Sequence, residues 1–364
     1  MRKTYKFRLY PTDMQQQILD AQLGEACRLY NAALQERRDA YQYCGMSLNY
    51  YDQANQLKAI RDDGACELAN FSACQDILRR VEKTFKAFFR RIKTGAVKPG
   101  YPRFKSRQRF DSYTFPIYGN GCRLKGTRLY LQGVGNLKVK LHRPVGGVIK
   151  TITVKRACGQ WYACLNVEVE ASPLPEMNTR TGIDVGLIAF ATLADGTTVE
   201  NPRYYRRAQA KLRVAQRRVT RRKRGGKNRR KAVLLLQKAH AKIKNQRTDF
   251  HHKVARALVN TYSIIAVEDL HIKGLASGML AKSVNDAGWG GFIAKLTYKA
   301  EEAGRLLVKV NPRGTSQTCL CGAEVPKTLS QRWHVCTSCG LFAARDHVSA
   351  QLILRLGLSL LGLT

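Results

Sequence analysis

Thr181-Gly182-Ile183-Asp184-Val185-Gly186 is an apolar run that carries one carboxylate and is edged by glycines. Leu187-Ile188-Ala189-Phe190-Ala191-Thr192-Leu193 follows, then Asp195-Gly196 and Thr198-Val199, so the segment reads as strands joined by a tight turn. Ser263-Ile264-Ile265-Ala266-Val267-Glu268 is a second apolar run, and it too finishes on a carboxylate. A strand without polar alternation suits the middle of a sheet covered on both faces. A helical pattern over 290–304, a strand from Leu306 to Val310 and a last helix from about Arg345 complete an α/β pattern. Asp184, Glu268 and Asp346 are therefore expected to converge at one sheet edge. Taken singly, each reads as a helix cap or a surface carboxylate. Taken together, they form the hard-oxygen set that two Mg²⁺ ions need for phosphodiester hydrolysis.

Upstream, residues 3–9 alternate as a strand, and Pro11-Thr12 opens a helical stretch from Asp13 to about Tyr43. Helical periodicity returns from Tyr51 to about Lys93. Glycine, Pro99 and Pro102 break it, and Gly100-Tyr101-Pro102-Arg103-Phe104-Lys105 interleaves aromatics with cations. From Ser112 to Glu170 short alternating runs at Tyr113–Ile117, Arg128–Gln132, Leu137–Leu141, Val148–Lys155 and Trp161–Val169 predict a small antiparallel β-barrel or sheet, which the opening strand can join. Ser172-Pro173-Leu174-Pro175 marks a domain boundary.

The charge is lopsided, with 63 Lys and Arg against 26 Asp and Glu, a formal +37. Such a chain repels itself unless a polyanion neutralises it. Cations run through the whole chain, which favours nucleic acid over a membrane surface. Residues 203–247 contain no acid and include Arg217-Arg218 and Arg221-Arg222-Lys223-Arg224. An ordinary solvated helix mixes signs to gain i,i+4 pairs. This tract is expected to track a phosphate backbone, and Lys3, Lys6, Arg8, Tyr101, Arg103 and Lys105 are further candidate nucleic-acid contacts. Tyr101 and Phe104 can stack on unpaired bases, whereas Trp161 suits core packing. The first eight residues interrupt every apolar pair with charge, so a signal-peptide core is not expected and the protein is placed in the cytoplasm. Leu352–Leu363 is too short to cross a bilayer, which takes about 20 residues, and reads as a terminal core helix.

Seven of the eleven cysteines are scattered singly as small buried hydrophobes. Cys319-Leu320-Cys321 and Cys336-Thr337-Ser338-Cys339 are clustered, with fourteen residues between the pairs. Two such pairs can close a thiolate tetrahedron about one structural Zn²⁺, although the first pair is spaced C-x-C rather than C-x-x-C. His334 is a weaker substitute ligand.

Gly182-Ile183-Asp184-Val185-Gly186, Asp249-Phe250-His251-His252-Lys253, Val267-Glu268-Asp269-Leu270, Thr315-Ser316-Gln317-Thr318-Cys319 and Ala344-Arg345-Asp346-His347, with Gly100–Lys105 before them, resemble the successive motifs of TnpB proteins in order. These proteins accompany bacterial insertion sequences and are related to type V CRISPR effector nucleases. The resemblance implies a RuvC-type nuclease guided by a transposon-end RNA, with Asp184, Glu268 and Asp346 as Mg²⁺ ligands. Family members show Asp-Arg-Asp-x-Asn-Ala at the last motif; Ala344–Ala350 lacks the first acid and the asparagine but keeps the second acid.

The expected architecture is multidomain α+β. Residues 1–10 and 110–172 form a wedge-like β-barrel domain, and 11–109 form an inserted helical recognition lobe. A RuvC/RNase H-like α/β nuclease domain spans 176–314 and 344–364, with a zinc ribbon at 315–343. The expected activity is RNA-guided DNA cleavage next to a short motif by Mg²⁺-dependent hydrolysis, performed by a monomer whose partners are guide RNA and double- and single-stranded DNA. The competing readings are a nuclease-inactive RNA-guided repressor, which the altered last motif keeps open, and a plain zinc-ribbon nucleic-acid protein, which needs neither Asp184 nor Glu268. A transposase proper fits less well, since no tyrosine-recombinase or HUH-type histidine motif is present.

Overall fold

The computed structural model describes residues 1–328 and 330–363; Leu329 and Thr364, which fall within the spans expected for the ribbon and the nuclease domain, lie outside the described residues. The chain divides into two compact units, Met1–Glu170 and Ala171–Thr364.

In the first unit β1 (Arg2–Tyr10) leads into α1 (Asp13–Cys44). Thr12 and Gln15 cap the start of α1 reciprocally, and Gly45, at φ 64°, ends it. The helical stretch expected from Tyr51 to Lys93 is two helices, α2 (Tyr50–Asp62) and α3 (Phe71–Lys93). Gly64 turns the chain at φ 70°, and the Asn70 side chain accepts from Ala73 N to start α3. Local turn and cap chemistry thus overrides the continuous apolar periodicity.

Six strands follow: β2 (Ser112–Phe115), β3 (Cys122–Lys125), β4 (Arg128–Leu131), β5 (Gly135–Lys140), β6 (Val148–Ala157) and β7 (Gln160–Glu168). With β1 they form an antiparallel sheet in the order β2-β6-β7-β1-β5-β4-β3. The chain's first strand therefore sits at the centre, with the helices inserted between it and β2. β2 and β3 are the edges, and among the described residues no ladder joins them, so the sheet is curled and its ladder is not closed as a barrel's would be. Phe7, Leu9, Val154 and Leu165 from the sheet share one buried cluster with Leu19, Leu34, Ile77 and Val81 from α1 and α3.

The second unit holds a mixed five-stranded sheet, ordered β10 (Thr198–Glu200), β9 (Ala189–Leu193), β8 (Arg180–Val185), β11 (Ile264–Glu268) and β12 (Leu306–Val310). β8, β11 and β12 are parallel; β9 and β10 are antiparallel additions at one edge. Between β10 and β11 lie α4 (Tyr204–Thr220) and the 35-residue α5 (Lys227–Thr261), and between β11 and β12 come α6 (Ile272–Leu275), α7 (Ala281–Ala287) and α8 (Trp289–Glu302). The hairpin β13 (Trp333–Val335) and β14 (Phe342–Ala344) precedes α9 (Arg345–Leu360). Ile183, Ile265 and Val267 join Ala255 and Leu258 of α5 and Phe292 and Leu296 of α8 in one cluster, whereas Ala266 and Val310 pack with Ile353 of α9. Helices thus cover both faces, which is why β11 is apolar throughout. Among the described residues no helix is long and apolar enough to cross a membrane.

Candidate active site and metal centre

A strand's pleat sends alternate side chains to opposite faces, so neighbours of known facing locate the carboxylates. At Gly182 an added Cβ would lie 2.1 Å from Ala350 O and 2.5 Å from Leu354 N, both α9 backbone. Asp184, two residues on, shares that α9-facing side. Ala266 lies against Gly357 of α9 in the same way, so Glu268 is on that side too. α9 runs antiparallel to β8: Ala350 and Leu354 lie over Gly182, while Asp346 Oδ2 comes within 4.0 Å of the Cβ position of Gly186. The first turn of α9 therefore stands at the carboxyl ends of the parallel strands and brings Asp346 to Asp184 and Glu268.

The three charges act on one another. Burial, then the charges of Glu268 and Asp346, push Asp184 up to about 8, with Arg345 opposing. Burial also raises Glu268, opposed by Thr315, whose hydroxyl donates to Glu268 Oε1. Arg345 Nε lies 3.4 Å from Asp346 Oδ1 and is the one cation in ion-pair range of the three carboxylates among the described residues. The site thus carries more negative charge than the protein neutralises, on hard oxygen donors suited to divalent cations. Ligand atoms all within 4.8 Å of one another are found among the described residues only at the four cysteines, so the carboxylates converge less tightly than the thiols.

Sequence reasoning gave no role to the residues that hold these groups. Thr315, 4% exposed, lies in a quoted motif and is the partner of Glu268. A ring nitrogen of His347 lies 3.1 Å from Ala194 O, fixing the start of α9 against the β9–β10 turn. Ala344, where the family has an acid, is the N-cap of α9 and makes no side-chain cap bond. Asp286 is buried and accepts from Tyr205 N at 2.8 Å and Arg206 N at 3.1 Å, capping α4 from a distant segment.

The four clustered cysteines meet as their spacing predicts. Cys319 Sγ lies 3.6 Å from Cys339 Sγ, and Cys321 Sγ 3.7 Å from Cys336 Sγ. Thiolates about 2.3 Å from a common tetrahedral centre stand about 3.8 Å apart, so the donor set fits one Zn²⁺. Backbone N–H groups of Cys339 and Ser338 pull the Cys336 thiol down to about 6, toward the thiolate a metal needs. His334 stays outside the cluster: it is fully buried, with Lys327 Nζ against Nδ1.

The candidate nucleic-acid residues fall in three places. In β1, Lys6 and Arg8 share the exposed face, Lys6 over the Tyr162 ring and Arg8 over Tyr10, whereas Lys3 points to the side of Phe7 and Leu9. Tyr101 stands edge-on to Phe85 and Phe88 and is 46% exposed; Arg103 and Lys105 flank it in the open. Trp161 is buried in the core. Arg217, Arg218, Arg221, Arg222, Lys223 and Arg224 are all exposed at the α4–α5 turn, and none forms an ion pair among the described residues.

Residues 163–278 match the OrfB_IS605 model, described as a probable transposase; 289–353 match the Cas12f1-like TNB domain, and 1–45 a helix-turn-helix domain, which here is β1 and the single helix α1. Across 99% of this chain and 90% of its own, a "Putative RNA-guided DNA endonuclease" of Streptomyces pristinaespiralis is 30% identical. The "Putative RNA-guided DNA endonuclease InsQ" of Escherichia coli (strain K12) is 29% identical over 98% of this chain and 92% of its own. The fold matches that of a Cas12f1–sgRNA–target DNA complex with a TM-score of 0.62, at 15% identity, over 97% of this chain and 98% of that one. Fold, site and relatives together define a nuclease, an enzyme of the hydrolase class. Within that class, the chain belongs to the TnpB family.

Proposed function

We propose that the protein is an RNA-guided DNA endonuclease that cuts target DNA next to a short motif by hydrolysing phosphodiesters in the bacterial cytoplasm. The observation that carries this reading is the placing of Asp184, Glu268 and Asp346 on one side of the sheet, at the carboxyl ends of parallel strands, where α/β folds seat ligands. These three would hold two Mg²⁺, which when bound supply Lewis-acid stabilisation of the attacking and leaving oxygens. The chain's own residues fix the donors: the strand backbone sets Asp184, the Thr315 hydroxyl holds Glu268 in one orientation, and Arg345 with His347 anchors the turn that carries Asp346. Guide RNA and the two DNA strands would lie on the cationic surfaces of Lys6 and Arg8, of Tyr101, Arg103 and Lys105, and of Arg217–Arg224, reading shape and phosphate while base pairing reads sequence; Lys3, on the other side of β1, is left out of that surface.

The domain reading goes with this proposal. A β domain comprises 1–10 and 110–172, a helical lobe 11–109, a RuvC/RNase H-like nuclease domain 176–314 and 344–364, and a zinc ribbon 315–343. The deciding experiment is to purify the protein with RNA co-expressed from its own flanking sequence, sequence that RNA, and offer a matched plasmid with Mg²⁺. Linearisation of matched plasmid only is expected; bound plasmid left intact at every Mg²⁺ concentration would instead leave a guided binder.

Cys319, Cys321, Cys336 and Cys339 would hold one Zn²⁺, which cross-links the ribbon. β14 runs without a break into Arg345 and Asp346, so loosening the ribbon frees the third carboxylate. Cys336→Ser is expected to cost more than about 2 kcal/mol of stability and to lower cleavage with it. Calorimetry beside a cleavage assay checks this, and an unchanged melting temperature with full activity contradicts it.

A further inference from the structure

We propose that Arg203, Arg206 and Arg332 form a phosphate pocket that holds a backbone phosphate of the strand being cut, next to the phosphate offered to the carboxylates. The proposal rests on the endonuclease reading above and adds a site to it. A cavity of about 270 Å³ is lined by Leu187 and Ile188 from the β8–β9 turn, Arg203 and Arg206 at the start of α4, Ser283 of α7, and Arg332. Arg203 Nη2 donates to Leu187 O at 3.3 Å and Arg206 Nη2 to Ser283 Oγ at 3.0 Å, so neutral oxygens hold these guanidiniums in place. None of the three arginines forms an ion pair among the described residues. Asp286 is the one acid of the lining, and its two oxygens are taken by Tyr205 N and Arg206 N. Three Arg against one Asp leave the lining at +2.

Both walls of the cavity are tied to the carboxylates. Arg345 N donates to Arg332 O at 2.8 Å, and the Arg345 side chain reaches Thr328 O, Gln331 O and Asp346. Arg332 is thereby fastened to the residue just before Asp346. On the other side Leu187 comes three residues after Asp184, with its carbonyl held by Asn201 as well as Arg203. Guanidinium forks match phosphate oxygens in geometry as well as charge. The residue after Arg332 tells a nucleotide strand from a free anion. Trp333 stacks on Phe342 with rings 5.0 Å apart and 6° from parallel, and the two side chains are 58% and 65% exposed. Exposed aromatic rings that begin one residue along the chain from Arg332 suit an unpaired base of the same strand, and inorganic phosphate would leave them unused.

The test uses the full chain with its RNA, Arg332→Ala, Arg206→Ala and Arg332→Lys, and DNA targets carrying one methylphosphonate at successive positions around the cut. Arg332→Ala is expected to lower kcat/KM about tenfold and to reduce the salt slope of DNA binding by about 1, with Lys restoring part of both. Methylphosphonate at one uncut position should impose a similar loss on the wild type and no further loss on Arg332→Ala. Equal rates and salt slopes in wild type and alanine variants, or losses that simply multiply at every position, overturn the proposal. So does loss of co-purified RNA from Arg332→Ala, since the phosphate would then belong to the guide. Should the wild type cut no DNA, the endonuclease reading fails by itself. The pocket is then judged on anisotropy of a single-stranded oligonucleotide: the same single-phosphate loss, absent in Arg332→Ala, supports it, and equal affinities refute it.

Discussion

Asp184→Ala is expected to lower cleavage of matched DNA by on the order of 10³-fold or more while the protein still binds its RNA and target. Asp184 is the carboxylate that both others crowd, so its removal takes away a donor that neither Glu268 nor Asp346 can replace from its own element. Stability should move the other way. In metal-free protein the Asp184 carboxyl is held up to about 8, against an ordinary value of 3.8. Between those two values the folded state keeps a proton that the unfolded chain has lost, so stability falls as pH rises through that window and is undiminished below it. Asp184→Asn removes the charge, and at pH 8 in buffer without Mg²⁺ or chelator it should gain about 1–3 kcal/mol over the wild type, with no gain at pH 4. Melting curves at the two pH values, beside cleavage gels, check both halves. Cleavage retained by the alanine variant, or an asparagine variant no more stable at pH 8, would mean that the three acids do not act as one site.

Gly182→Ala is the second large effect, and it acts through backbone. The new Cβ would meet Ala350 O at 2.1 Å, Leu354 N at 2.5 Å and Leu354 Cα at 3.0 Å. All three belong to the main chain of α9, so no side-chain rotation relieves them. Either the helix lifts from β8 or β8 shifts in the sheet, at an expected cost of about 3 kcal/mol or more. Asp346 rides on the first turn of α9 and moves with it, so cleavage should fall further than stability alone accounts for. Gly290→Ala is the control: this glycine lies inside α8, its nearest neighbour to an added Cβ is Ile272 Cγ2 at 3.7 Å, and the helix gains by the change. Thermal melts that rank the two substitutions equally would refute the close approach of α9 as the reason for Gly182.

The parts legible in the sequence are those that short-range chemistry specifies. Apolar runs interrupted once by a carboxylate mark Asp184 and Glu268, because a charge at such a position is costly unless something uses it, whereas Asp346, in the first turn of a helix where an acid is ordinarily favoured, is marked only by its company with the other two. Paired cysteines mark the ribbon by spacing. Less legible was β3, Cys-Arg-Leu-Lys between Gly121 and Gly126, which carries only two apolar residues, and so was the break between α2 and α3, where Gly64 and Asn70 act on the backbone and leave the apolar pattern intact. Lys3 shares the side of Phe7 and Leu9 by strand alternation, although its neighbours in sequence suggest one cationic group.

The sequence by itself determined which strands and helix hold the three carboxylates and how the paired cysteines are spaced, since both follow from residue type and local period. Tertiary structure alone decided which of them meet. The antiparallel run of α9 over β8, admitted by the missing Cβ of Gly182, sets Asp346 beside Asp184 across more than 160 residues. Thr315 reaches Glu268, and Arg332 reaches the cavity at the start of α4, for a related reason. Such meetings depend on the packing of backbones and volumes from distant segments, and no local pattern of side chains records them.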